Sequence, residues 1–254
     1  MRTFLLAAAF VVAACSSARA VVIDSYDVPL PPHPLLASGR SILFLGPACD
    51  GTLCPPDPTV VNEEGRDEID QVGVPGTPSG HRFTHFNSLG KDVSLDRAQI
   101  EVSGGSLHLA DPGSNGLEMI TLWGWRDYPL ALDLVAEGSD RFELDVVSEA
   151  GSFTPFTIEF FFKSIYGDGG AGSSENTASQ RLQVSAPGTI VFPYANFANV
   201  SGSFPASLQK VDQAGFWILD FPAGDAVRIE EVRTASTPTP ARATSWGRVK
   251  AGYR

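Results

Sequence analysis

The feature that most constrains this chain is an apolar–polar alternation of period two, repeated from about residue 93 to residue 233. Phe142, Leu144 and Val146 alternate with Arg141, Glu143 and Asp145. Phe156, Ile158, Phe160 and Phe162 alternate with Thr157, Glu159 and Phe161. Leu182 and Val184 alternate with Arg181, Gln183 and Ser185, and Val227 and Ile229 with Arg228 and Glu230. Leu130, Leu132 and Leu134 share one parity around Asp133. Successive strand residues point to opposite faces, so each run predicts a strand with one apolar face. Turn strings separate them: Ser103-Gly104-Gly105, Asp111-Pro112-Gly113, Ala186-Pro187-Gly188 and Pro222-Ala223-Gly224-Asp225. No segment shows helical periodicity of comparable strength. The expected fold is all-β: a two-sheet antiparallel β-sandwich, jelly-roll-like, held together by burial of the apolar faces between the sheets.

The flanks are less regular. Residues 21–27 read as an opening strand, stopped by Pro29, Pro31, Pro32 and Pro34. Residues 35–92 read as a long, loop-rich insertion with an acidic patch of Glu63, Glu64, Asp67, Glu68 and Asp70. A structureless loop of that length is unusual in a compact domain, so the apolar pieces 41–45 and 81–86 are expected to pin it as strands. Residues 167–180 read as a glycine-rich hairpin loop, and 234–240 as a Thr/Pro linker before a basic-aromatic tail. The expected organisation is a signal peptide over 1–20, one sandwich domain over 21–233, and linker plus tail over 234–254.

The signal reading rests on Arg2, the apolar run 3–14 and the small-x-small site Ala18-Arg19-Ala20. It places the protein outside the cytoplasm, secreted or at the cell surface. A second reading takes Val12-Ala13-Ala14-Cys15 as a lipobox, with a lipid on Cys15 as anchor. Later in the chain no apolar run is long enough for a transmembrane helix. In an oxidising compartment, Cys49 and Cys54 on either side of an Asp-Gly turn are expected to form a local disulfide. The formal net charge of -11 argues against nucleic acid as a partner.

The order of the strand candidates adds a resemblance. Ile23-Asp24-Ser25-Tyr26-Asp27 is followed by Gly105-Ser106-Leu107-His108-Leu109 and Met119-Ile120-Thr121-Leu122-Trp123-Gly124-Trp125. Leu130-Ala131-Leu132-Asp133-Leu134 comes next, and Ala226-Val227-Arg228-Ile229-Glu230-Glu231-Val232-Arg233 closes the series. This resembles secreted bacterial jelly-roll sandwiches of unknown role, some of which carry C-terminal Pro-Glu-Pro sorting signals. It is more distantly similar to galactose-binding-like modules. The chain departs from the first group in having no Pro-Glu-Pro signal. The resemblance also implies a structural calcium ion near the ends of the sandwich. Asp24, Asp27, Asp220 and Asp225 are the candidate ligands if the first and last strands are neighbours, because hard oxygen donors suit Ca²⁺. Turn-capping or solvated Asp is the other reading of those residues.

The binding candidates are Trp123, Trp125 and Tyr128, with Arg126 and Asp127 beside them. Trp123 and Trp125 share parity, so a continuing strand would set both rings on one face, as a platform for a sugar or as core. His81 and His85 lie in His-Arg-Phe-Thr-His, which lacks the zinc-protease pattern, and a surface or loop role is expected. No Gly-x-Ser-x-Gly elbow is present. Glu143, Asp145 and Glu159 read as a solvated face rather than a hydrolytic pair. Three functions follow in order: a non-catalytic surface or secreted module binding glycan or another envelope component, a structural envelope protein, and a secreted hydrolase.

Overall fold

The computed structural model describes residues 20–49, 56–62, 66–87, 97–111, 117–125, 127–149, 152–167 and 174–237. The first sheet contains β1 (Val22–Asp24), β2 (Ile42–Phe44), β7 (Gln99–Ser103), β8 (Ser106–Asp111), β10 (Arg141–Ser148), β13 (Gly188–Pro193) and β16 (Asp225–Ala235). Its order is β13-β10-β16-β8-β7-β2, with β1 also paired to β16. The second contains β5 (Arg66–Val72), β6 (His81–Asn87), β9 (Leu117–Trp123), β11 (Phe156–Tyr166), β12 (Ser174–Val184), β14 (Ala198–Ser201) and β15 (Gln213–Phe221). Its order is β14-β12-β11-β15-β9-β6-β5. Strands β3 (Gly46–Cys49) and β4 (Pro56–Asn62) form a separate two-stranded ribbon. Neighbouring strands pair antiparallel throughout.

The sandwich closes where the alternation predicts. Phe142 of β10 stacks on Phe160 of β11 with ring centroids 4.4 Å apart, and Phe192 of β13 lies 5.4 Å from the same ring. Phe156, Phe162, Phe216 and Phe221 fill the same layer from the second sheet. Burying each ring removes a large apolar area from water, worth about 1.5–3 kcal/mol per side chain. No helix among the described residues is long and apolar enough to cross a membrane.

Several expectations need correction. The pieces 41–45 and 81–86 do pin the 35–92 segment, as β2 in the first sheet and β6 in the second; what the sequence reading missed is β5, a further strand over part of the acidic patch. The described acids of that patch each lie beside a histidine: Asp67 by His33 at 3.0 Å, Glu68 by His85 at 3.2 Å and Asp70 by His81 at 2.6 Å, while Glu63 and Glu64 lie outside the described residues. Residues 130–134 are not a strand. Ala131 has a positive φ of 52°, and only Leu132 makes a β-bridge, to Val211. The opening strand stops at Asp24, because Tyr26 turns the chain with φ 53°. Strand β12 already begins at Ser174, inside the expected glycine-rich loop. The last strand runs through the start of the expected linker to Ala235, with Thr234 fully buried. Glu143 is buried against Arg141 and Arg233 rather than solvated. Residues 1–19 with Cys15, Cys54 and the side chain of Cys49, Arg126 and residues 238–254 lie outside the described residues.

Candidate functional site

The outer faces of the two sheets differ in chemistry. On the first, Arg233 engages Glu143 at 2.9 Å, Glu231 at 3.0 Å and Asp145, while Arg141 holds Glu143 at 2.7 Å. Burial opposes ionisation of Asp145, but hydrogen bonds from Arg233 and Thr189 outweigh it and hold the carboxyl below its ordinary value. That is an ion-paired polar face, of the kind an antiparallel sheet turns outward, with Glu143 covered by its arginine partners.

The second sheet turns aromatic side chains outward instead. Register builds the face row by row. Asp70, Phe83, Leu122, Gly215, Phe161 and Ser179 are successive cross-strand partners from β5 to β12. The adjacent row reads Glu68, His85, Ile120, Trp217, Glu159 and Arg181. With strands about 4.8 Å apart, the face extends roughly 29 Å from β5 to β14. Gly215 matters in the centre. A Cβ there would lie 2.7 Å from the Phe161 ring and 2.6 Å from the Thr121 carbonyl oxygen, so its absence lets Phe161 lie flat as a floor.

Trp217, 39 % exposed, stands on one side of that floor, and Trp125, 47 % exposed, on the other. Between them is a groove of about 400 Å³ lined also by Phe83, Ile120, Leu122 and Phe161. Its polar lining includes Glu159, Lys163, Thr177, Ser179 and Gln213. The charges are paired: Arg181 reaches Glu159 at 2.6 Å, and Lys163 lies 3.7 Å from Glu175. Burial raises the Glu159 carboxyl, but hydrogen bonds from Arg181 and Ser179 win, leaving it below its ordinary value.

Trp125 is carried by a small arch. Strand β9 ends at Trp123, and Gly124 reverses direction with φ 83°. A Cβ on Gly124 would sit 2.3 Å from the Asp212 carbonyl oxygen, so only glycine allows this close approach. Trp125 and Tyr128 then exchange both backbone hydrogen bonds at 3.0 Å, closing a two-residue turn. The Gln213 amide donates to the Gly124 carbonyl at 2.9 Å and Leu130 N–H to that of Asp212 at 2.8 Å, fixing the base. Tyr128 stacks on His81, with centroids 5.9 Å apart and planes 4° from parallel.

The expected platform is therefore divided. Trp125, in the groove wall, pairs with Tyr128, and exposed Asp127 lies between them in sequence. Trp123, of the same parity in sequence, is fully buried on the opposite face because Gly124 breaks the strand between the two rings. The four aspartates of the calcium reading are not gathered either. Strand β1 does pair with β16, but the register sets Asp24 beside Val232. Asp225 is at the far end of that strand, about 23 Å away at the rise of an extended chain. The carboxylate of Asp24 accepts from Arg82 and Trp123, that of Asp225 from Thr154 N–H and that of Asp27 from Ser25. Asp220 is exposed at the end of β15. Among the described residues no three His, Cys, Asp or Glu side chains converge as a metal site.

Sequence reasoning did not find Trp217, Phe161 or Phe83. The signal was present: Phe160-Phe161-Phe162 and Phe216-Trp217-Ile218 are apolar on both parities, which a strand with one wet face does not require.

No protein-family profile matches the chain, and no curated protein matches it significantly in sequence. The chain also aligns, at low TM-score, with several solved structures. One is a family 11 carbohydrate-binding module from Clostridium thermocellum in complex with a β-1,3-1,4-mixed-linked tetrasaccharide. It has TM-score 0.37 and 12 % identity, over 69 % of this chain and 91 % of that one. A family 30 carbohydrate-binding module gives TM-score 0.35 and 16 % identity, over 52 % and 76 %. An exo-β-agarase gives TM-score 0.35 and 13 % identity, over 61 % and 23 %.

Proposed function

We propose that this protein is an exported, non-catalytic module that binds a carbohydrate chain along the outer face of its second sheet. The observation that carries the reading is the groove between Trp125 and Trp217, floored by Phe161 over Gly215. An exposed row of aromatic rings is an unusual surface to leave in water, and such patches mark interaction sites. The rings offer flat apolar area to the C–H faces of sugar rings at low entropic cost. Thr177, in the polar lining, supplies hydrogen bonds to hydroxyl groups. The groove volume falls in the range of small-molecule and oligosaccharide sites. The paired charges of Glu159–Arg181 and Lys163–Glu175 favour an uncharged chain over an acidic one. Within the groove they also favour binding over hydrolysis, since glycoside cleavage there would need a lining carboxylic acid with a raised pKa. Glu159 is shifted the other way. Export rests on the leader reading of residues 1–20.

Affinity electrophoresis through gels containing hydroxyethylcellulose, laminarin, xylan or agarose tests the proposal, with Trp125→Ala and Trp217→Ala as variants. Retardation by at least one polysaccharide, weakened in both variants, supports it. Migration unaffected by every polysaccharide, or self-association through this face by sedimentation, overturns it.

A further inference from the structure

A second cavity of about 180 Å³ continues the groove past Trp125 towards the edge strand, lined by Asp70, His81, Phe83 and Trp125. Asp70 faces it from β5 as the cross-strand partner of Phe83, with its side chain 62 % exposed. His81 Nε2 lies 2.6 Å from Asp70 Oδ1. The imidazole is only 3 % exposed, stacked on Tyr128 and 6.5 Å from the Trp125 ring. Its other nitrogen, Nδ1, is buried without a hydrogen-bond partner among the described residues. A phenyl ring would fill the same space and stack equally well without that cost. The gain from an imidazole here is the close polar contact with the Asp70 carboxylate.

We infer that Asp70, oriented by the buried His81, forms a sugar subsite that continues the groove and takes one hydroxyl-bearing, uncharged residue of the bound chain. This rests on the carbohydrate-binding reading and specifies one end of it. An ionised carboxylate only accepts hydrogen bonds, so its ligand must present donors. With Oδ1 beside His81, the exposed carboxylate keeps acceptor capacity for a sugar hydroxyl, whose ring packs against Trp125 and Phe83. A uronate at the same place would set one carboxylate against another and is rejected. Asp70 is the binding group, and His81 is a positioning residue that acts through it.

The test uses the full chain and the neutral polysaccharide from the panel above that retards it most, with polygalacturonate as the anionic probe at low salt. Asp70→Ala is expected to weaken neutral-polymer binding roughly ten- to hundredfold, the range for a hydrogen bond to a charged group. His81→Phe keeps the stack on Tyr128 but loses the donor, and is expected to show a smaller loss. Asp70→Asn is expected to lose affinity for the neutral polymer and gain retardation by polygalacturonate, an opposite change that a purely structural role would not produce. Unchanged neutral-polymer binding in Asp70→Ala and His81→Phe, with Trp125→Ala impaired, overturns the subsite and leaves the groove standing. Failure of the wild-type chain to bind any neutral polymer overturns both.

Discussion

The indole N–H of Trp123 donates to Oδ2 of Asp24 at 2.7 Å, joining the second sheet to the first strand of the other. The same oxygen accepts from Arg82 Nη1 at 3.3 Å, and the guanidinium lies over the Tyr26 ring at 5.7 Å. The Arg82 Nε–H goes to Gln71 and its Nη2–H to the Val28 carbonyl. A fully buried arginine is thus satisfied on several sides, and the turn after β1 is fastened to β6 and β9. Burial, reinforced by the Asp24 charge, pushes the Tyr26 phenol well above its ordinary value, so it stays neutral.

Asp24→Ala leaves Arg82 as an uncompensated buried charge. The expected loss of stability is about 3–5 kcal/mol, measured by urea unfolding. Trp123→Phe keeps most of the packing and loses one donor to the carboxylate, for an expected 1–3 kcal/mol on the order of an unsatisfied buried group. A loss under about 1 kcal/mol in Asp24→Ala would show that the pair does not hold the sheets together.

Gly124→Ala and Gly215→Ala separate the arch from the floor. At Gly124 the new Cβ meets the Asp212 carbonyl at 2.3 Å in a left-handed conformation, so the arch must move. The strain at φ alone costs about 1–2 kcal/mol. At Gly215 the Cβ meets Phe161, and the ring is expected to tip into the groove. That overpacking costs about 1–3 kcal/mol, with glycan binding lost in a chain that still folds. Thermal unfolding and affinity electrophoresis read the two effects separately.

Acid stability follows from the carboxylates with depressed pKa. Asp145 and Glu159 both ionise below their ordinary values in the folded chain. Their contribution is complete above the unfolded-state pKa and is lost as pH falls through the folded-state one. Glu118 is shifted the other way, raised by burial and by Asp220, so it opposes this trend as pH rises through its folded pKa. Unfolding temperatures between pH 2 and pH 6 should fall towards acid, and Asp145→Asn should flatten part of that slope. An unchanged slope would contradict the Arg233–Asp145 assignment.

The strands were legible wherever one parity was apolar and the other polar, as in Phe142–Leu144–Val146 against Arg141–Glu143–Asp145. Sandwich closure followed from burying those faces. The site was legible only in part. Trp125 and Tyr128 stood out by type, but Trp123 shares their neighbourhood and parity, and nothing in parity reveals that Gly124 adopts φ 83°. Leu130, Leu132 and Leu134 alternate like a strand, yet a bend at Ala131 folds them against 208–212 through isolated backbone hydrogen bonds. Trp217 and Gly215 become wall and floor only through register with β9 and β11, a long-range pairing that local pattern does not encode. The β5 acids look like a solvated patch until their histidine partners, one as distant as His33, are brought alongside.

The most direct measurement follows the indole N–H signals of the four tryptophans by ¹⁵N NMR during titration with the retarding polysaccharide's oligomers. The account predicts saturable shifts for Trp125 and Trp217, assigned through their Phe variants, while Trp123, bonded to Asp24 in the core, stays in place. Shifts confined to Trp246 or to Trp123 would contradict it.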